Sequence, residues 1–266
     1  MSVFEAFVLG MLQGLTEFLP VSSSGHIQFG AYFFDIDTSE NLVFTVIVHG
    51  ATVLSTLIVF WKEIGKIIRG VFKFEYNEET KFFLYILFSM IPVGVVGVFF
   101  KSEVEALFDG KIVFVASMLM VTGFLLAATN YIKADTKTGE LNYTKAFIIG
   151  LAQAFAVVPG ISRSGATIAT GLMVGVKKEQ ATRFSFLMVI IPILGASLLQ
   201  VLDIIENPAI TGNTSATALG VGFITALVFG IFACRWMIKI VQKGKLIYFA
   251  AYCFIVATFV LVMQLI

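Results

Sequence analysis

Six stretches of the chain, residues 42–61, 82–100, 112–132, 184–202, 217–234 and 246–266, run apolar with no Asp, Glu, Lys or Arg inside them. Each is about the length that crosses the hydrocarbon core of a bilayer as a helix, so six transmembrane helices are predicted. Two further stretches, residues 3–33 and 146–176, are apolar but interrupted near their middles. Pro20 with Ser22, Ser23, Ser24 and Gly25 breaks the first, and Pro159 with Ser162, Arg163, Ser164 and Gly165 breaks the second. Neither half of such a stretch spans easily. Non-helical backbone at membrane depth is tolerated only where protein or a water-filled cavity satisfies its polar groups, so each stretch is expected to form a re-entrant hairpin of two short helices. The predicted fold class is all-α: a polytopic membrane protein, an inverted-repeat bundle of six transmembrane helices plus two re-entrant helical hairpins.

The repeat is read from self-comparison. A shift of 140 residues places Ala6, Phe7, Gly10, Gln13, Ser22, Ser24 and Gly25 on Ala146, Phe147, Gly150, Gln153, Ser162, Ser164 and Gly165, and Phe44 on Phe184. One membrane domain over residues 1–266 is therefore expected, built of repeats at approximately 1–132 and 141–266, each a hairpin and three spans. Basic loops set the direction. Residues 62–81 carry Lys62, Lys66, Arg69, Lys73 and Lys81, residues 133–145 carry three lysines, and residues 235–245 carry Arg235, Lys239, Lys243 and Lys245, whereas residues 203–216 carry no Lys or Arg. The first three loops, with Lys73, are thus expected in the cytoplasm, and Asn213 and both termini outside it. Three spans per half invert the second repeat, so the hairpins enter from opposite faces and meet near the midplane. The loop at 101–111 sets Lys101 and Lys111 against Glu103, Glu105 and Asp109 and gives no direction of its own.

Composition narrows the class further. Of 266 residues 58% are hydrophobic and 13% charged, and mean hydropathy is +0.95, which reads as an integral membrane protein. A formal net charge of +1 supplies no basic field for nucleic acid. The first Lys or Arg is Lys62, so the chain lacks the positive start of a cleavable signal peptide and its N-terminus is expected to be mature sequence. Cys234 and Cys253 lie in apolar runs as small hydrophobes, and neither a disulfide nor a thiolate metal site is expected. The sequence leaves oligomeric state open, a homodimer included.

The polar residues inside the two hairpins carry the chemistry. Gly160 and Gly165 allow close backbone approach, and the turn after Pro159 feeds a helix whose first N–H groups lack intrahelical partners. Ser162, Ser164 and Thr167 add hydroxyls, and Arg163 adds a planar guanidinium that matches phosphate oxygens in pairs. The same residues also describe a capped helix start with a snorkelling arginine. In the first hairpin, Gln13 and Glu17 are four apart and share a helix face. Glu17 reads either as the ion-pair partner of Arg163 or as an oxygen ligand for a divalent cation, Mg²⁺ or Ca²⁺, with Gln13 adding an amide oxygen. Ser22, Ser23 and Ser24 next to His26 are either an N-cap or a hydroxyl nucleophile beside an imidazole base. His49, inside a full span, reads as a hydrogen-bonded core or interhelical histidine. Pro92, Gly94, Gly97, Pro192 and Gly195 read as packing or kink positions rather than chemistry.

The stretches Gln-Gly-Leu-Thr-Glu-Phe-Leu-Pro-Val-Ser-Ser-Ser-Gly-His at 13–26 and Pro-Gly-Ile-Ser-Arg-Ser-Gly-Ala-Thr at 159–167 closely resemble the two signature motifs of the bacterial undecaprenyl-diphosphate phosphatase family, also called the bacitracin-resistance protein family. The resemblance extends over essentially the whole chain. It implies an enzyme of the bacterial plasma membrane that hydrolyses a polyprenyl diphosphate to the monophosphate and inorganic phosphate, recycling the lipid carrier of cell-wall synthesis. By motif position it implies catalytic roles for Glu17, Ser23, His26 and Arg163, with Ser23 the favoured attacker assisted by His26, while attack by His26 or by water stays open. It further implies a phosphate turn of Ser162, Arg163, Ser164, Gly165 and Thr167, and a metal element of Gln13 and Glu17. Many members have Glu where this chain has Gln13, which leaves one carboxylate in that element. The competing class is a lipid-phosphate flippase or transporter, because inverted repeats with broken helices are also transporter architecture. A receptor-like structural protein would leave the buried Glu, His and Arg unexplained.

Overall fold

A computed structural model describes residues 1–36, 42–107, 111–131, 139–206, 214–243 and 245–265. The expected span ends at 132 and 266, and Asn213, lie outside the described residues.

The first hairpin is α1 (Val3–Phe18) and α2 (Ser23–Phe33), and the second is α7 (Tyr143–Phe155) and α8 (Arg163–Met173). A capping box starts α1: the Ser2 hydroxyl accepts from the Glu5 N–H and the Glu5 carboxylate accepts from the Ser2 N–H. The helix stops where the sequence requires it. Pro20 excludes the helical region for the residue before it, and Leu19 turns to φ −70°, ψ 143°. Between the hairpins run α3 (Leu42–Val71), α4 (Glu78–Phe99), the short α5 (Lys101–Glu105) and α6 (Ile112–Ala128), and after them α9 (Lys178–Met188), α10 (Ile190–Glu206), α11 (Ala216–Gln242) and α12 (Ile247–Met263). The described residues form an all-α, multi-pass membrane protein.

Among the described residues, five helical segments are long and apolar enough to cross a membrane: Val43–Val71, Glu78–Phe99, Ile112–Tyr131, Lys178–Glu206 and Ala216–Val241. The sixth expected span is a 17-residue helix, α12, of about 26 Å, near the short end of the spanning range. Two spans depart from their apolar runs. The 42–61 run continues as helix to Val71, carrying Lys62, Lys66 and Arg69 with it. The 184–202 run starts earlier, at Lys178, and its helix is interrupted at Val189, because Pro192 has no N–H to give the Met188 carbonyl.

Small residues bring the helices together. A Cβ on Gly10 would lie 2.6 Å from the Gly222 carbonyl, and one on Gly14 2.5 Å from that of Ala226, so α1 and α11 touch backbone to backbone. In the same way Gly150 of α7 lies against Ser89 of α4. Gly94, Gly97 and Gly195 have open space where a Cβ would stand, so the expected packing role does not hold for them. They face away from the bundle. Two ion pairs tie the ends: Lys101 to Asp203 at 2.8 Å, and Arg183 to Glu63 at 3.0 Å with its guanidinium over the Phe82 ring. The first sets the 101–107 segment and the end of α10 at one end of the bundle. The second sets the 62–71 end of α3 and the start of α9 together.

Candidate functional site

The two hairpin breaks meet. The Ser164 hydroxyl donates to the Leu19 carbonyl at 3.2 Å, a Cβ on Gly165 would touch Pro20, and one on Gly25 would touch Gly160. Both second arms begin with the same cap. Ser22 Oγ accepts from the Gly25 N–H at 3.2 Å and pairs with Ser24 Oγ, and Ser162 Oγ accepts from the Gly165 N–H at 3.0 Å and pairs with Ser164 Oγ. Ser22 sits at φ 69°, a left-handed conformation that costs a non-glycine residue about 1–2 kcal/mol and that the surrounding contacts must hold. Gly160 sits at φ 93°, where a Cβ would run into the Val115 carbonyl and stand 2.8 Å from Met118 Cβ, so only glycine makes this turn.

Glu17 is the hub. Its carboxylate accepts from Ser23 Oγ at 2.6 Å and from Gln13 Nε2 at 3.0 Å, and it pairs with Arg163 Nη2 at 3.3 Å. The glutamate side chain is 5% exposed and the arginine 24%, so the carboxylate is shielded and the arginine partly exposed. Of the two readings of Glu17, the ion pair with Arg163 is therefore present. The cation reading keeps support from Gln13. Its Oε1 is buried and, among the described residues, has no hydrogen-bond partner, although an unsatisfied buried carbonyl oxygen costs about 1–3 kcal/mol. No three His, Cys, Asp or Glu cluster as an all-protein metal cage among the described residues. One carboxylate, one free amide oxygen and the oxygens of a bound phosphate would suit a hard divalent cation.

Other expected residues are placed differently. Ser23 and His26 were paired as nucleophile and base, but they are not bonded to each other. The hydroxyl points to Glu17, while His26 shares Nδ1 with the Ser22 carbonyl and Nε2 with the Tyr252 hydroxyl, each at 2.9 Å. The i, i+4 carbonyl draws the ring along α2 and away from Ser23. Thr167, expected to donate to phosphate, donates instead to the Arg163 carbonyl of its own helix at 2.8 Å.

Two residues with no motif to mark them, Thr122 and Tyr252, join the site. Thr122 of α6 donates to the Gly160 carbonyl and accepts from the Ser162 N–H, both at 3.0 Å, clamping the turn before α8. Tyr252 of α12 meets His26. His49 is bonded through Nδ1 to the Thr45 carbonyl of its own helix at 2.9 Å, a hydrogen-bonded histidine inside a span as expected. A polar side chain inside an apolar run was the signal available for each. Such residues are ordinary in spans.

A buried carboxylate, a partly exposed guanidinium and two serine-capped helix starts meet where the two hairpins of a multi-pass helical membrane protein come together. The sequence fits the family model of bacitracin resistance protein BacA over residues 6–259. It is 56% identical over 264 residues to an undecaprenyl-diphosphatase of Bacteroides fragilis, covering 99% of each chain, and 56% identical over 253 residues to one of Parabacteroides distasonis, covering 95% of each. An undecaprenyl-diphosphatase of Methanobrevibacter smithii is 39% identical over 278 residues, covering 98% of this chain and 97% of its own. The chain belongs to the BacA bacitracin resistance family, and it is an enzyme.

Proposed function

We propose that this enzyme hydrolyses undecaprenyl diphosphate, or a similar polyprenyl diphosphate, to the monophosphate and inorganic phosphate in the bacterial plasma membrane, returning the lipid carrier to cell-wall synthesis and conferring bacitracin resistance. The observation that carries this reading is the Ser23–Glu17–Arg163 constellation at the meeting of the two breaks. On this reading the two halves are inverted repeats, the hairpins are re-entrant from opposite faces, and both termini are extracytoplasmic.

Arg163 and the start of α8 bind the diphosphate, since a guanidinium fork and unpartnered helix N–H groups both favour phosphate oxygens. Ser23 Oγ attacks the terminal phosphorus. Its proton passes to the Glu17 carboxylate it already touches, the bond from phosphorus to the bridging oxygen breaks, and the polyprenyl monophosphate leaves with that electron pair. Water then attacks the serine phosphate, the phosphorus–Ser23 oxygen bond breaks, and Glu17 returns its proton to Ser23 Oγ, giving inorganic phosphate and restoring Ser23. His26 takes the water proton, because a ring whose Nδ1–H is held by the Ser22 carbonyl keeps its lone pair on Nε2. Glu17 and the free Gln13 Oε1 would hold a divalent cation, Mg²⁺ or Ca²⁺, which when bound neutralises phosphate charge.

Phosphate release from detergent-purified protein given a polyprenyl diphosphate, with and without chelator, tests the proposal. Stoichiometric release of phosphate and polyprenyl monophosphate is expected. A lipid-phosphate flippase would release none, and that result would reject the hydrolase reading.

A further inference from the structure

His26 is held at both ends of its ring. The Ser22 carbonyl can only accept, so Nδ1 carries the proton and Nε2 the lone pair, and the Tyr252 hydroxyl 2.9 Å from Nε2 is the donor. The two rings lie nearly parallel, 12° apart with centroids at 5.6 Å. Tyr252 lies 226 residues from His26 in sequence and arrives on α12. That helix is seated on the same break, where Cys253 Sγ stands 3.8 Å from the Pro20 carbonyl. The imidazole is buried at 6% exposure, whereas Tyr252 is 42% exposed, so the tyrosine is the outward end of the chain Ser22–His26–Tyr252.

We propose that Tyr252 is a catalytic residue for the reaction, its hydroxyl fixing the tautomer and orientation of His26 and carrying the proton of the attacking water to it. The proposal rests on the hydrolase reading above and on the water-activating role given there to His26. A phenolic hydroxyl both donates and accepts. Nε2 has one lone pair and the Tyr252 O–H already lies on it, so the attacking water gives its proton to the Tyr252 oxygen as Tyr252 gives its own to Nε2, and the Nε2–H then donates back to that oxygen. Among the described contacts Tyr252 touches no other member of the site, so it acts through His26.

The test is Tyr252→Phe in the purified enzyme, a change that keeps the ring and removes the oxygen. We expect kcat to fall about tenfold, the size of one lost orienting hydrogen bond, with KM within about twofold and Tm unchanged. In a His26→Ala background the same change is expected to cost nothing further, because its effect runs through the missing imidazole. Parental kcat in Tyr252→Phe overturns the proposal. So does a raised KM at unchanged kcat, which would mean direct contact with substrate, or a full tenfold loss persisting in the His26→Ala background. Parental turnover in His26→Ala overturns it too while leaving phosphate release intact. Absence of phosphate release from the parent protein instead removes the hydrolase reading, and this proposal falls with it.

Discussion

Arg163→Lys separates the two things the arginine can do. The substitution keeps the unit positive charge and removes the planar fork. In the structure the guanidinium uses one nitrogen, Nη2, on Glu17 Oε1 at 3.3 Å, a long bond for an ion pair, and a quarter of the side chain is exposed. If neutralising Glu17 were its whole task, an ammonium would serve almost as well, and turnover would stay within about threefold. If the remaining nitrogens hold a phosphoryl group whose oxygens gain charge in the transition state, lysine loses an aligned donor. Removing one preorganised donor from such a site costs about 2.7–4 kcal/mol, or roughly 10²–10³ in turnover. Removing the charge altogether would strand Glu17 and destabilise the fold by about 3–5 kcal/mol, which is why lysine rather than alanine is the informative variant. We expect Arg163→Lys to insert and melt like the parent while its rate of phosphate release falls by about two orders of magnitude or more. Turnover within threefold would show the arginine to be structural and would refute the assignment of the phosphate site.

Three other outcomes are expected. Glu17→Gln keeps the shape of the hub but not its charge, so phosphate release should be nearly abolished, with Tm lowered less than by loss of the Arg163 charge because the stranded arginine is 24% exposed, and excess chelator should silence the parent; full activity in chelator would remove the cation from the proposal. Gly160→Ala places a Cβ against Val115 and Met118 at a positive φ, a loss of about 2–5 kcal/mol read as a Tm lower by several degrees, whereas Gly94→Ala should leave Tm unchanged or raise it slightly. An impermeant thiol reagent on intact cells should label a cysteine placed at position 213 and not one placed at 73; the reverse pattern would invert the proposed orientation.

The helices were legible where a local signal defines them. Apolar run length marked the spans, and Pro20 and Pro159 with their serines marked both breaks to within a few residues. The run length could not mark Lys178 as the start of a helix, because charged residues continue a helix beyond the bilayer without looking apolar. Glycines were legible only where a turn required them. Whether Gly94 packs or faces outward depends on which helix lies opposite, and composition carries no such information. The site was legible as a set of residues but not as a set of bonds. Ser23 and His26 are neighbours in sequence and were paired for that reason, yet their partners, Glu17 and Tyr252, come from another helix in each case. Thr122 reads like any polar residue in a span until the turn it serves is folded against it.

Charge counting explains why the hub is built as it is. Glu17 and Arg163 together are neutral, which makes their burial tolerable without a ligand. A diphosphate adds several negative charges to that balance and brings them toward a carboxylate 5% exposed, where like charges are poorly screened. Arg163 alone cannot neutralise both. Either Glu17 takes a proton or a divalent cation enters with the substrate, and the two are compatible in sequence: the cation during binding, the Ser23 proton during attack. Gln13 fits the same logic. A second carboxylate at that position would hold a cation more tightly but would deepen the negative charge when none is bound. The amide instead donates Nε2 to Glu17 and leaves Oε1 without a partner among the described residues, an acceptor waiting beside the charge it supports. On the proposed function the cation and the diphosphate offset each other's charge beside Glu17, so metal and substrate should each raise the other's affinity.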